Sequence, residues 1–219
     1  MSVSVLSAAG QRTVTSGGYM AKLWVLIFMV VLIWSGIQPH DYFTWFLEVL
    51  PALIAFVLLM LTRRRFRLTS LAYGLILVHC IILMVGGHYT YADVPLFNWI
   101  RDYFDLARNN YDKVGHLAQG FIPAIVAREI LCRNEVITKR GWTAFIVVCV
   151  SLALSAFYEL IEWWVAVVSG ESAEAFLGTQ GYVWDTQSDM ALALLGSVLA
   201  LAFLGRLHDR QMQRLFPHG

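Results

Sequence analysis

Two carboxylates occupy a stretch of the chain in which an ionised group is costly. Glu159 and Glu162 lie inside the apolar run 142–168, which is long enough to cross a bilayer as one helix. At such depth a charged side chain must face protein, water or a bound partner. Ser155 precedes Glu159 by one helical turn, so all three side chains share a face. This stretch is the first candidate for a functional site.

Two further segments carry polar residues at the same helical spacing. Asp112, His116 and Gln119 repeat the i, i+4, i+7 pattern, and Asp185 and Asp189 are four residues apart. Each set forms a stripe on one helix face. Stripes on three helices are what a shared polar pocket requires.

The depths of these residues also agree. Counting about 1.5 Å per residue from the middle of each predicted span, Glu159 lies about 6 Å toward the outer side. His116 lies about 8 Å, and Glu162 and Asp189 about 10 Å, toward the same side. The inner half is nearly free of ionisable residues until the basic loops. We therefore expect one pocket, open to the outer side.

One imidazole with several carboxylates and no thiolate suits a divalent cation such as Mg, Mn, Fe or Zn. The same set could form a proton relay, because clustered carboxylates raise one another's pKa. The expected ligands or acid/base groups are His116, Glu159, Glu162 and Asp189. The expected supporting residues are Asp112, Asp185 and Gln119, with Lys113 or Arg108 contacting a phosphate.

Simpler structural explanations stay open for several of these residues. Asp112 and Lys113 form an exposed ion pair at a helix end in the commoner case. Asp185 is a plausible helix cap. Glu48 and His79, alone on their spans, are expected to make hydrogen bonds within the bundle.

Composition sets the class of the protein. Of the 219 residues, 58% are hydrophobic and only 14% charged, and the mean hydropathy is +0.63. An ordinary soluble domain is far less apolar, so we expect a multi-pass membrane protein and no nucleic-acid partner. The three cysteines have irregular spacing, which indicates neither a disulfide framework nor a metal clip.

The elements that position the site are predicted to be an all-α bundle of transmembrane helices. The six expected spans are 20–37, 42–61, 68–86, 111–131, 142–168 and 185–205. An amphipathic helix starting near Pro95 is expected to lie on the outer membrane surface, with Phe97, Ile100, Phe104 and Ala107 on its apolar side. Residues 1–19 are expected to be a disordered lead, 20–210 the transmembrane domain and 211–219 a short tail.

Basic residues predict the orientation of the bundle. Of the 16 lysines and arginines, 13 lie on one predicted side, while Arg101, Arg108 and Lys113 lie on the other. By the positive-inside rule, both termini are cytoplasmic. An even number of spans agrees with this.

Four segments resemble a known family. Residues 88–95, 104–116, 158–164 and 177–190 are similar to the YjdF family of bacterial inner-membrane proteins, a family of unknown function. The resemblance implies a multi-pass protein of the bacterial inner membrane and carries no catalytic assignment. Over the last three helices the chain is also distantly similar to VanZ-like membrane proteins, through Asp112 to His116, Glu159 or Glu162, and Asp185 to Asp189.

These observations favour one function and leave two alternatives. The leading hypothesis is an outward-facing pocket that binds a cation and acts on a lipid or envelope precursor. A small proton- or ion-coupled transporter is the first alternative. The second is a structural or assembly protein whose polar residues only join the helices. Whether the protein is an enzyme, and its oligomeric state, are left open by the sequence.

Overall fold

The computed structural model describes residues 7–169 and 182–216, with side chains from residues 18–168 and 182–216. This part of the chain contains seven α-helices and a short 3-10 helix, Tyr91–Asp93, and no strand. The α-helices are α1 (Ser7–Ser35), α2 (Tyr42–Thr62), α3 (Ser70–Tyr89), α4 (Pro95–Tyr103), α5 (Tyr111–Arg133), α6 (Arg140–Ser169) and α7 (Asp185–Leu215). The predicted all-α architecture is confirmed.

Five of the described helices are long and apolar enough to cross a membrane. They are α1 from Gly18 onward, α2, α3, α6 and α7. The expected fourth span, α5, is not among them, because it carries Asp112 and Lys113 in its first turn and Arg128, Glu129 and Arg133 near its end. The chain is thus a multi-pass helical membrane protein with five clear spans.

The six long helices run alternately between two ends of the bundle. At one end, which we call the basic end, side chains link the start of α3 to α1, α5 and α7. These hydrogen bonds are Trp24 Nε1 to Tyr73 O, Thr69 N to Glu129 Oε1, and Leu71 N to Gln211 Oε1. At the opposite, acidic end, the corresponding pairs are His88 with Ser35, Tyr111 with Ile82, and Arg108 with Asp185.

Helices α5 and α7 approach most closely because glycines replace side chains at their crossing. A Cβ atom on Gly120 would lie 1.8 Å from the carbonyl oxygen of Ala193. One on Gly196 would lie 2.2 Å from the carbonyl oxygen of Leu117. This contact fixes the register of the two helices and so determines which polar residues of α5 meet those of α7.

An apolar layer separates the two ends. Ala124 and Ile125 of α5, Val147 of α6 and Ala200 of α7 are all fully buried and belong to one cluster. The polar residues of the acidic end lie on one side of this layer. The second side holds a buried pair that the sequence did not predict, Glu129 and His208, so the inner half is less apolar than expected.

The amphipathic helix is shorter than expected. It begins at Pro95 as predicted but ends at Tyr103, which leaves Phe104 and Ala107 outside it. The reason is a left-handed residue, Asp105, with φ of 51°, after which the Leu106 N–H donates to the Arg101 carbonyl. This six-to-one bond is a Schellman ending, which stops a helix.

Two predicted boundaries also move. Helix α1 begins at Ser7 rather than near Met20, and its strongly apolar part starts at Gly18. Residues 1–6 lie outside the described residues. Helix α7 continues to Leu215, through the predicted start of the tail. The division into lead, domain and tail stays a prediction.

Candidate cation site at the acidic end

Lys113 ties α5 to the first turn of α7. Its Nζ atom lies 2.6 Å from Asp189 Oδ1, 2.8 Å from Asp185 Oδ1 and 2.8 Å from Ser188 Oγ. Asp112 Oδ2 is 3.7 Å away. Asp112 and Lys113 are only 19% and 18% exposed, so the explanation as an exposed surface pair is wrong.

His116 lies beside this network with its two ring nitrogens in different surroundings. Its Nδ1 is 3.0 Å from Gln119 Oε1, an oxygen that can only accept, so Nδ1 carries the proton in this contact. Its Nε2 lies 3.3 Å from Asp112 Oδ1 and 3.9 Å from Asp189 Oδ2, so an Nε2–H donates to Asp112. Loss of that proton would give the Nδ1–H tautomer, whose Nε2 lone pair is free to bind a metal.

Three donor atoms converge around His116. One donor atom each from Asp112, His116 and Asp189 lies within 4.8 Å of the other two. Donors that share one ion at bond lengths of about 2.0–2.2 Å are about 3–4 Å apart, so small side-chain shifts suffice. Asp189 can serve two partners, because Oδ1 contacts Lys113 while Oδ2 faces His116.

Glu159 brings a carboxylate from α6 to the same place. Its Oε1 atom is buried, lies 3.8 Å from His116 Nδ1 and has no hydrogen-bond partner, although Thr186 supplies a side-chain hydrogen bond to the carboxylate. The Ser155 hydroxyl, one turn earlier, is also buried without a partner. Buried polar atoms are almost always satisfied, so this pair indicates a place for an ion, a water or a proton.

Glu162 takes a different position from the one expected. It is half-buried and lines a neighbouring cavity of about 30 Å³ rather than joining the three converging donors. The residues around this cavity are Glu48, His79, Leu83, Tyr91, Asp112, Gly115, His116, Gln119, Tyr158 and Glu162. Asp112, which was expected to be a supporting residue, supplies one of the three converging donors. Glu162, which was expected to be a ligand, is not among them.

Glu48 and Tyr158 extend the site toward α2, and neither was predicted to be a site residue. The Tyr158 hydroxyl donates to Glu48 Oε2 over 3.2 Å, which agrees with a hydrogen bond to a neighbouring helix. The one signal available was depth, because Glu48 also falls in the outer half of its span. A single acid on α2 forms no stripe.

Asp185 is shared by two cations. Arg108 NH2 and Lys113 Nζ lie 3.1 Å and 2.8 Å from the same Oδ1 atom, and the Arg108 guanidinium lies 4.6 Å from the centre of the Tyr182 ring. The residue preceding the helix is Trp184, and it makes no side-chain cap. Asp185 therefore lies in the first turn and does not cap the helix as considered.

Negative charge predominates at the acidic end. The carboxylates around the site are Glu48, Asp112, Glu159, Glu162, Asp185 and Asp189, and the cations that contact them are Arg108, Lys113 and a protonated His116. Six carboxylates exceed three cations, so the remaining ones need protons or a bound cation, because isolated charges in a bundle are costly.

The comparisons with known proteins agree with a membrane protein. The family described as "Predicted membrane protein (DUF2238)" matches residues 20–210. The inner membrane protein YjdF of Escherichia coli (strain K12) is 53% identical over 189 residues, which cover 86% of this chain and 90% of that protein. No solved structure matches.

Proposed function

The chain belongs to the DUF2238 family of membrane proteins, and we propose that it binds a divalent cation at the acidic end of its helical bundle. The predicted resemblance to YjdF is confirmed. In this proposal α5 crosses the membrane as a sixth span, which its contacts with α7, α6 and α3 shield from lipid. The basic end faces the cytoplasm, so both termini are cytoplasmic and the site faces outward.

The observation that carries the proposal is the convergence of Asp112, His116 and Asp189 donor atoms within 4.8 Å of one another. The Gln119 contact supports it by directing Nε2 of His116 toward both carboxylates. The unpartnered Oε1 atom of Glu159, 3.8 Å from His116 Nδ1, adds negative charge beside the ring without joining the three donors. Imidazole with carboxylates favours Mn, Fe or Zn over Ca, which prefers oxygen ligands alone.

Action on a lipid or envelope precursor is a further step that the described geometry supports less well. A cavity of about 30 Å³ has room for an ion or a water rather than a lipid head group. Arg108 and Lys113, expected to contact a phosphate, are engaged with Asp185. We therefore propose cation binding as the function and leave turnover of a lipid as a hypothesis.

One observation favours the transporter as a second candidate. The same two helices that carry the acidic-end site, α5 and α7, carry the buried pair Glu129 and His208 at the basic end. Ionisable groups at both ends of one helix pair are typical of ion and proton pathways. Against it, the apolar layer around Ile125 and Val147 closes the route in this conformation.

The test is direct cation binding to the purified full chain in detergent. We would titrate Mn²⁺ and follow its magnetic resonance signal, and then repeat the titration with Zn²⁺ by calorimetry. The proposal predicts about one ion per chain, a loss of binding in His116→Gln, and a 10–100-fold weaker affinity in Gln119→Ala. Asp102→Asn is the matched control, since Asp102 is an exposed acid that pairs with its neighbour Arg101.

The alternatives make different predictions in the same experiment. If the polar residues only join helices, the wild type binds no ion and His116→Gln lowers the unfolding temperature. If the protein is a carrier, vesicles containing it show ion or proton flux that His208→Ala abolishes. Saturable binding that survives in His116→Gln would contradict the proposed site.

A further inference from the structure

A large pocket lies at the basic end, far from the candidate cation site. Its volume is about 720 Å³, and its walls are the end of α5, the turn that follows, the start of α6 and the second half of α7. Pockets for small ligands have volumes of about 300–1,000 Å³, so this one is large enough for a head group. All of its lining residues belong to the described part of the chain.

Positive charge predominates in this pocket. Four arginines line it, Arg128, Arg133, Arg140 and Arg206, against two acids, Glu135 and Asp209. Asp209 is already bonded to two of the arginines, at 2.6 Å to Arg128 and 3.1 Å to Arg140. Arg133 NH1 lies 2.9 Å from Oε1 of Glu129, a buried acid that is not part of the lining. The four arginines still exceed these three acids, so an anion would be stabilised there.

Two of the arginines are held in fixed positions. Arg128 also contacts His208 Nδ1 at 3.1 Å. Because arginine only donates, Nδ1 accepts, and Nε2 of a neutral His208 donates to Glu129 Oε2 at 3.0 Å. The Arg133 guanidinium lies between the Phe66 and Phe216 rings, 3.8 and 3.5 Å from their centres. Pre-organised guanidinium groups lose little entropy when they bind a phosphate.

The other two arginines are exposed. Arg140 is 87% exposed at the start of α6 and bonds to Asp209 through NH2, and Arg206 is exposed on α7. Guanidinium groups bind phosphate through paired hydrogen bonds, which a single lysine cannot provide.

Apolar residues form the rest of the lining, among them Ala144 on α6 and Leu201, Ala202 and Met212 on α7. Ala144 and Ala202 are exposed, and both lie on helices that are apolar enough to span a membrane. The pocket thus opens along lipid-facing helices. A ligand that fills it would combine an anionic group with an apolar part.

We propose that this pocket binds the phosphate group of an anionic phospholipid, with Arg140 and Arg206 contacting the phosphate and the α6–α7 wall contacting the glycerol and acyl region. A soluble phosphate ester shares the charge but lacks the apolar part. The proposal is independent of the cation site at the other end. Basic pockets between spans on the cytoplasmic side are a recurrent way of binding acidic lipids.

The experiment measures lipid retained by the purified full chain, using native mass spectrometry with dioleoyl phosphatidylglycerol and dioleoyl phosphatidylcholine as probes. We expect phosphatidylglycerol to bind in preference to phosphatidylcholine. The double variant Arg140→Gln/Arg206→Gln should bind it at least tenfold more weakly. Both residues are exposed, so this variant should keep the wild-type unfolding temperature.

The matched control is Arg64→Gln/Arg65→Gln, which removes the same charge from exposed positions at the same end but outside the pocket. It should bind phosphatidylglycerol like the wild type. Equal loss in both double variants would show unspecific attraction to a basic surface and overturn the proposal. Displacement of the lipid by glycerol phosphate or inorganic phosphate at equal concentration would assign the pocket to a soluble phosphate and contradict the lipid.

Discussion

Replacing Gly120 by alanine tests the contact on which the candidate site depends. The added Cβ would lie 1.8 Å from the Ala193 carbonyl oxygen and 2.6 Å from its Cα atom, and both belong to backbone that cannot rotate away. Ordinary contacts of this kind are about 3.4–4 Å, so α5 and α7 must separate by about 1.5 Å or more. Overpacking of this kind costs about 1–3 kcal/mol and occasionally more.

The assay is unfolding of the purified chain in detergent, followed by circular dichroism. Gly120→Ala should unfold at a clearly lower temperature than the wild type. It should also bind Mn²⁺ more weakly, because the Asp189 donor moves away from His116. Gly205→Ala is the matched control on α7, since a Cβ there meets nothing within 4 Å. That change should be neutral or stabilising, by up to about 1 kcal/mol of helix propensity.

A Gly120→Ala variant with wild-type stability and wild-type ion affinity would refute this reasoning. It would mean that the two helices are farther apart than the structure places them. Asp189 would then be too far from Asp112 and His116 to share a cation with them.

Three further predictions follow from single contacts. His208→Ala should destabilise the protein by about 1–3 kcal/mol in denaturant unfolding, because it removes the hydrogen bond that a neutral His208 donates to the buried Glu129, which keeps Thr69 and Arg133 as partners; a change below about 0.5 kcal/mol would contradict this. Asp41→Ala should cost about 1 kcal/mol at neutral pH, because its side chain accepts from the Thr44 N–H over 2.7 Å at the start of α2. That backbone hydrogen bond holds the Asp41 pKa below its ordinary value. The stability difference between the wild type and Asp41→Ala should therefore be present at a pH above the ordinary pKa and vanish as the pH falls through the lowered pKa. A stability difference that persists in acid would contradict this. A green fluorescent protein fused after Gly219 should fluoresce and an alkaline phosphatase fused there should be inactive, because the positive-inside rule predicts that the basic end faces the cytoplasm; the reverse result would contradict that orientation.

The sequence predicts much of this fold because membrane helices follow from composition. Long apolar runs have no stable alternative to a helix in lipid, so five spans could be located from hydropathy alone. Helix endings were harder, because they depend on one residue. Asp105 and Glu135, both with positive φ, end α4 and α5, and neither is the glycine that usually marks such an ending.

The candidate site was predictable where polar residues form stripes. The stripes on α5, α6 and α7 do meet, with His116 close to Asp112, Glu159 and Asp189. The choice among the acids was not predictable, because it depends on helix rotation and on the register that Gly120 and Gly196 determine. Glu162 differs from Glu159 by less than one turn, yet it lines the cavity beside His116 and Glu159 does not.

The basic end was missed for another reason. Glu129 and His208 are 79 residues apart, and each stands near arginines at or beyond the end of its predicted span. Only the packing of α5 against α7 shows that neither side chain has exposed surface. Long-range pairs of single residues leave no periodic signal.

Metal content is the most direct test of the proposed divalent cation site at the acidic end. The measurement is mass spectrometry of metals in the purified chain after incubation with Mn²⁺ and Zn²⁺ and removal of the excess. We expect about one ion per chain in the wild type and in Asp102→Asn, and almost none in His116→Gln or Asp112→Asn. A folded wild-type protein without bound metal, or metal retained in both site variants, would contradict it.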